Sequence, residues 1–412
     1  MLTLVLSRRF GPLFVTQFLG AFNDNLFKTA FIFLVAFRLS ADDPAGAATM
    51  ATVATGVFIL PFFLFSGIAG EIADARDKAM IARGVKIAEI AFMALGAVAM
   101  LIESEVLALV VIFLMGVHST VFGPVKYAIL PQHLHTRELL LGTGLVEGAT
   151  FVAILLGQVA GGLLPPDIAG PVAVGVAIAG WAFARFIPPA PPAGTADIDW
   201  NPFSASRRAL GEALANTELR IATICISWFW ALGAIYTSQF VPLARNNLGG
   251  NEGVATLFLG VFSVGIAIGS AGVSRLLKGR ISTRLSPWAG LVMALAGLDL
   301  LFAERAFDGA PMTVAGFLAD PRGWRVMADL VLLSVAGGIF SVPLYGVLQT
   351  ATSAEGRSRA IAANNIFNAG FQVAGVLAIG AAISRGAGVP AVLAAAGMTV
   401  LLLIPLLRRL PR

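Results

Sequence analysis

Twelve apolar runs, each long enough to cross a lipid bilayer, succeed one another along this chain with little between them. The hydrocarbon core of a membrane is about 30 Å thick and takes roughly 20 helical residues to span. The runs lie at 10–38, 50–70, 80–102, 105–123, 141–164, 168–188, 219–244, 253–272, 284–303, 326–349, 359–384 and 389–407. Together with short connections they use nearly all of the 412 residues, so no separate water-soluble domain fits. Only 12% of residues are charged, too few to clothe a water-facing surface. The sequence therefore predicts an all-α membrane protein with twelve transmembrane helices.

The basic residues sort by side. With a cytoplasmic N-terminus, 20 of the 28 Lys and Arg residues fall in cytoplasmic segments, among them Arg8, Arg9, Arg76, Lys78, Arg207, Arg208, Arg357, Arg359 and Arg412. The opposite side holds six, Arg38, Arg245, Arg305, Arg322, Arg325 and Arg385, while Lys28 and Lys86 lie inside helices. The positive-inside rule then places both termini in the cytoplasm, which an even number of spans requires. The formal charge of +5 thus needs no nucleic-acid partner. The first run is interrupted by Asn23, Asp24 and Asn25 and is too long for a cleaved signal peptide, so it is expected to stay as the first helix. The single cysteine, Cys225, cannot form an intrachain disulfide and reads as packing.

The longest polar stretch divides the chain into a six-helix bundle over 1–188, a cytoplasmic linker over 189–218 and a second six-helix bundle over 219–412. The linker region opens with Pro188-Pro189-Ala190-Pro191-Pro192, which favours extended backbone. Its later part, through Trp200, Phe203, Arg207, Leu210 and Leu214, has the spacing of a short amphipathic helix for the cytoplasmic leaflet. Gln158-Val159-Ala160-Gly161 in the fifth run recurs as Gln372-Val373-Ala374-Gly375 in the eleventh. Phe122-Gly123-Pro124-Val125-Lys126-Tyr127 has a looser echo in Phe340-Ser341-Val342-Pro343-Leu344-Tyr345. Repeats six spans apart, in order, are what the two-half major facilitator fold predicts.

Charged and polar groups at membrane depth cost a few kcal/mol each, about 2.5–3.5 at the bilayer centre on the lenient scale, so their presence marks function or pairing. The first helix carries Asp24, Asn25 and Lys28. Asp24 and Lys28 are four residues apart and can pair on one face; alternatively Asp24 faces a cavity and takes a substrate cation or a coupling ion. Lys86 stands three residues before Glu89 and either pairs with it structurally or serves a substrate. Glu147 lies near the start of the fifth helix. In the second half, Tyr236 and Gln239 lie on the seventh helix, and Asn364, Asn368 and Gln372 make a polar stripe on the eleventh that either glues helices or lines a hydrated path.

Gly70-Glu71-Ile72-Ala73-Asp74-Ala75-Arg76-Asp77-Lys78 resembles the major facilitator loop motif G-x-L-A-D-R-x-G-R-K, one residue out of register after Asp74. In that family the acid and the bases hold a gate closed, which makes Asp74, Arg76 and Lys78 candidate gating residues. Gly123-Pro124 is expected to break the fourth helix and leave Lys126 near its cytoplasmic end, as a snorkelling anchor or a phosphate contact. The three histidines, His118, His133 and His135, lack metal-helix spacing, and no Gly-rich phosphate loop appears. Neither zinc hydrolysis nor ATP-driven pumping is supported, and no metal or cofactor is expected.

Gln17-Phe18-Leu19-Gly20-Ala21-Phe22-Asn23-Asp24-Asn25-Leu26-Phe27-Lys28 resembles the first-helix signature of bacterial lysophospholipid transporters, major facilitator proteins also similar to the membrane half of certain acyltransferase fusions. Gly123-Pro124-Val125-Lys126-Tyr127-Ala128-Ile129-Leu130 and Gly144-Leu145-Val146-Glu147-Gly148 are similar to that family at corresponding places, as are Phe229-Trp230 and Val342-Pro343-Leu344. The resemblance implies inward movement of lysophospholipids such as lysophosphatidylethanolamine across the bacterial inner membrane, by alternating access with a lateral opening, for reacylation by a separate cytoplasmic acyltransferase. It makes Asp24, Lys126 and Glu147 charged family positions and the chain a carrier rather than an enzyme. The seventh-helix arginine of the relatives has no counterpart in Ala234-Ile235-Tyr236-Thr237-Ser238-Gln239. The rival readings are a major facilitator efflux or uptake carrier for another small amphiphile or drug, and a scramblase or assembly subunit.

Overall fold

The computed structural model describes all residues except 41, 195–196 and 411–412, so Arg412 of the basic set lies outside the described residues. Among the described residues, twelve helices are long and apolar enough to cross a membrane: α1 (Gly11–Leu39), α2 (Gly46–Ala75), α3 (Lys78–Leu101), α4 (Glu105–His133), α5 (Thr136–Leu163), α6 (Pro166–Ala184), α7 (Thr217–Asn247), α8 (Glu252–Leu276), α9 (Ser286–Ala306), α10 (Pro321–Thr350), α11 (Arg357–Ser384) and α12 (Val389–Leu407). Local chemistry sets several starts. Asp77 caps α3 by accepting from Met80 N at 3.0 Å, Ser104 caps α4 through Leu107 N at 3.3 Å, and Asn251 caps α8 through Val254 N at 3.3 Å.

The expected break at Gly123-Pro124 does not occur. The α-helical part of α4 runs on through Pro124 to Ala128, and only then gives way to the short turn Leu130–His133. A proline removes one backbone donor, and a membrane helix tolerates that loss when its neighbours hold it straight. Val125, Tyr127 and Ala128 are buried on the same stretch, so packing holds it.

The chain clusters into two compact units. The first comprises Met1–Gly142, Val152–Asn216 and Gln349–Ile366; the second comprises Thr143–Phe151, Thr217–Leu348 and Phe367–Arg412. In the first unit, Leu26, Phe27 and Phe31 of α1 meet Met93 of α3, Val111 and Met115 of α4 and the alanine face of α6. Close helix approach rests on missing side chains. A Cβ at Gly157 or Gly161 of α5 would run into the backbone carbonyl of Phe22 or Leu26 on α1, and one at Gly116 of α4 into that of Phe58 on α2.

The linker also belongs to this unit. Its proline stretch lies outside any helix, and polar side chains and backbone meet it. Ala190 N donates to Asp77 at 3.0 Å, Ala190 O accepts from Lys78 N at 3.0 Å, and Pro191 O accepts from the Gln132 amide at 3.0 Å. The linker helix, Pro202–Ala215, forms where the sequence predicts one, but its small face is turned to protein. Ala209 and Ala213 pack with Ala363 of α11, and the Ala205–Ser206 backbone lies on Gly67 of α2. Trp200 and Phe203 remain exposed. Buried Glu71 anchors it, accepting from Asp199 N at 2.6 Å and pairing with Arg208 at 3.2 Å. The Ser204 hydroxyl, with Asn201 N and Arg208, holds the Asp199 carboxyl below the usual carboxylate range.

In the second unit, Phe258, Phe262, Phe240, Tyr236 and Phe317 form a continuous aromatic cluster with ring centroids 5.5–6.4 Å apart. α9 and α12 pack together, and Gly375 of α11 lies against Ala231 and Ile235 of α7.

Candidate functional site

Within the first unit, α1, α3 and α4 bring together a buried group of charged and polar side chains. Glu89 of α3 is its hub. Lys86 Nζ donates to Glu89 Oε2 at 2.5 Å, Asn23 Nδ2 of α1 donates to Oε1 at 2.9 Å, and His118 Nε2 of α4 stands 3.1 Å from Oε2. Lys86 is fully buried. A Cβ on Gly20 would meet its ammonium, and that ammonium lies 5.5 Å from the centroid of the Phe122 ring. Buried charges are tolerated only when paired and hydrogen-bonded, and Lys86 and Glu89 meet that need for each other.

Asp24 adjoins this hub. It is 7% exposed, and its Oδ2 accepts from the Ser119 hydroxyl at 2.5 Å; Ser119 Oγ in turn stands 3.4 Å from His118 Nδ1. The Asp24–Lys28 ion pair considered from the spacing is not formed among the described residues. Lys28 Nζ lies over the Phe58 ring of α2 at 5.0 Å, and Asp24 turns instead toward α4. Asn25 is half-buried and donates to Ala21 O of its own helix at 2.8 Å. Lys126 is half-buried on α4, its ammonium 5.0 Å from the Tyr127 ring centroid.

The candidate gating loop also resolves in this unit, with a different cation. Asp74 is buried and caps the start of α11, accepting from Ser358 N at 2.9 Å, Arg359 N at 3.2 Å and the Arg359 guanidinium at 3.4 Å. A carboxylate at a helix N-terminus meets unsatisfied N–H groups and the positive end of the dipole. Arg359 also pairs with Glu212 of the linker helix at 3.0 Å. Of the two bases named from the loop, Lys78 is buried nearby and Arg76 is exposed.

The remaining named residues divide between the units. Glu147 is fully buried on the part of α5 that belongs to the second unit, where Gly144 and Gly148 admit the α8 backbone at Ser270 and Ala267. Tyr236 is fully buried and donates to Leu393 O at 3.1 Å, while Gln239 is half-buried and donates to Ser238 Oγ at 3.2 Å. Along α11, Asn368 accepts from the Ser227 hydroxyl of α7 at 2.7 Å, and Gln372 donates to Asn368 O at 3.1 Å. Asn364 falls in the first unit, buried, with neither amide atom hydrogen-bonded. So the stripe of three amides acts as helix glue at Asn368, and its members do not share one unit.

Sequence reasoning gave His118 and Ser119 no role and Glu89 only a structural one, and it counted Arg359 merely among the basic-side charges. The proximity of polar positions on α1, α3 and α4 carried a faint signal for the first three. Nothing in the sequence links Asp74 to a residue 285 positions away.

A model of the Major Facilitator Superfamily matches residues 13–319 of the chain. A relative described as lysophospholipid transporter LplT, from Serratia proteamaculans, is 29% identical over 377 residues, covering 88% of this chain and 85% of the relative. LplT from Salmonella gallinarum is 28% identical with the same coverage. Among solved structures, the human organic anion transporter MFSD10 superposes with a TM-score of 0.73 at 18% identity, covering 97% of this chain and 99% of that one. The E. coli fucose:proton symporter FucP gives 0.70 at 14% identity, covering 97% of each. At these identities the two structures speak for the fold alone.

Proposed function

This chain belongs to the Major Facilitator Superfamily, and we propose that within it the protein is a lysophospholipid carrier of the bacterial inner membrane. In this reading it moves lysophospholipids such as lysophosphatidylethanolamine from the outer to the inner leaflet, with both termini cytoplasmic, and hands them to a separate acyltransferase. The observation that carries the proposal is similarity at 28–29% identity over 88% of the chain to relatives bearing that description. The physical fit supports it. A lysophospholipid has one acyl chain, a phosphate and often an ammonium, and needs a small charged site inside an apolar protein.

Asp24 is the acid for the ammonium. It is buried and receives one hydroxyl donor, and the Lys28 ammonium lies over the Phe58 ring. Half-buried Lys28 and Lys126 are assigned to the phosphate for their exposure, whereas Lys86 is fully buried and donates to Glu89 at 2.5 Å. Asn25, Glu147, Tyr236, Gln239, Asn364, Asn368 and Gln372 complete the proposed path. During alternating access Asp74 releases and recaptures the α11 start, with Lys78 buried beside it and Arg76 at the surface.

The test is uptake of labelled lysophosphatidylethanolamine by proteoliposomes of the purified chain, beside a lipophilic dye and a sugar. Saturable, headgroup-selective movement is expected. Transport of the dye or sugar in its place would give the protein to the rival class of amphiphile or drug carriers, and unsaturable movement of all lipids would make it a scramblase.

A further inference from the structure

The linker helix, Pro202–Ala215, has two faces with different surroundings. Ala205, Ala209 and Ala213 are buried, seated on Gly67 of α2 and Ala363 of α11. At about 100° per residue, Phe203, Arg207 and Leu214 fall within about 40° of one another, and the centre of their stripe lies about 140° from that of the alanines. Phe203 is 76% exposed and Leu214 40%, and Trp200, two residues before the helix, is 69% exposed. Leu210 lies at the edge of the stripe, half-buried against the alanine cluster. Arg207 is exposed in the middle of it. A guanidinium set among apolar side chains, all turned from the protein, fits a cover that offers both hydrocarbon and anionic oxygen.

The depth of the seat identifies that cover. Gly67 lies eight residues inside the end of α2 at Ala75, and Ala363 six residues inside the start of α11 at Arg357. At about 1.5 Å per residue the seat is about 9–12 Å in from those ends. That is the level at which a surface helix rests in the boundary between headgroups and acyl chains, where tryptophan is also favoured. The fastening to protein uses other side chains. Arg208 pairs with Glu71 of α2 and with Asp199 at 3.2 Å each, Glu212 pairs with Arg359 of α11 at 3.0 Å, and Asn216 Nδ2 donates to Ala351 O at 3.1 Å. Arg208 and Glu212 lie on the flank between the two faces, so the outer stripe takes no part in these bonds.

We propose that the linker helix is a strap held by lipid: Phe203, Arg207 and Leu214, with Trp200 beside them, dock on the phospholipid surface, Arg207 on a lipid phosphate, while the alanine face clasps the start of α11 to α2. The proposal is independent of what the carrier moves. Lipid on the outer stripe and ion pairs on the flank hold the same short helix, and loss of the lipid contact loosens the α11 start that Asp74 caps.

Two measurements on the full chain, in liposomes of phosphatidylethanolamine and phosphatidylglycerol, test this. The chain has six tryptophans, and the emission lost in Trp200→Phe isolates that of Trp200. Phospholipid brominated near the top of its acyl chains should quench about half or more of it, and aqueous acrylamide should quench little. Acrylamide quenching without bromine quenching overturns the docking and leaves the stripe as a surface for a protein partner. Hydrogen exchange reads the clasp. Phe203→Ser combined with Arg207→Ser should speed exchange in the linker helix and the first turn of α11 about tenfold or more, with α3 and α6 unchanged. Unchanged exchange in the strap and α11, or a rise spread evenly over α3 and α6, overturns the clasp.

Discussion

The first helices of the two halves, α1 in the first unit and α7 in the second, use one packing device for opposite chemistry. Each receives a glycine from the repeated Gln-Val-Ala-Gly word, Gly161 against Leu26 of α1 and Gly375 against Ile235 of α7. Yet α1 presents Asn23 and Asp24 to the charged group of α3 and α4, whereas α7 presents Tyr236 to Phe262 and Phe240 and pairs Ser227 with Asn368. The two helices thus meet a glycine of the same word while their ionisable content differs. A buried charge survives only where partners satisfy it, and α7 meets its neighbours with neutral polar groups instead.

The contrast can be broken most directly by removing the charge on α1. Asp24→Asn should cut lysophospholipid uptake on the order of tenfold or more, equivalent to about 1.4 kcal/mol or more of lost interaction, with normal membrane insertion. Gln239→Leu on α7 should change uptake far less, and equal losses would erase the asymmetry.

Lys86→Met leaves Glu89 buried without its ammonium and should destabilise the protein by about 3–5 kcal/mol in thermal unfolding. The double variant Lys86→Met, Glu89→Gln should recover much of that, and failure to recover would mean that packing, not charge, holds the group. Gly161→Ala forces a Cβ toward backbone and should cost about 1–3 kcal/mol. Gly375→Ala meets the flexible end of Ile235 at 3.2 Å and should cost less; a reversed order would show that the repeats pack differently.

Asp74→Ala removes the cap of α11 at a cost of about 1–2 kcal/mol, and should speed alkylation of a cysteine placed at Ala362. The smallest effect is expected from Tyr236→Phe, about 1 kcal/mol for one buried hydrogen bond, read in the same unfolding assay.

The twelve helices were legible because lipid leaves a backbone few choices, so apolar length alone finds them, with the end of α4, ten residues beyond the expected one, the largest miss. Pro124 was misread for the same reason in reverse: the rule that proline breaks helices belongs to water, where no neighbour holds the chain straight. Asp24 and Lys86 were visible as charges in apolar runs. Their partners were not, because a 3.6-residue period says which face a residue occupies but not which helix lies opposite. That is why a pair with Lys28 stood as one of two readings of Asp24 and Ser119 was overlooked, and why Arg359 stood unremarked among the basic-side charges.

The division of the chain into units has one more consequence. α5 and α11 each change allegiance partway along their length, so the polypeptide passes from one unit to the other five times. No single scissile bond can therefore separate them. A protease that nicked the proline stretch would produce two fragments, neither of which holds a whole unit, and the α11 turn that Asp74 caps would reside on the other piece.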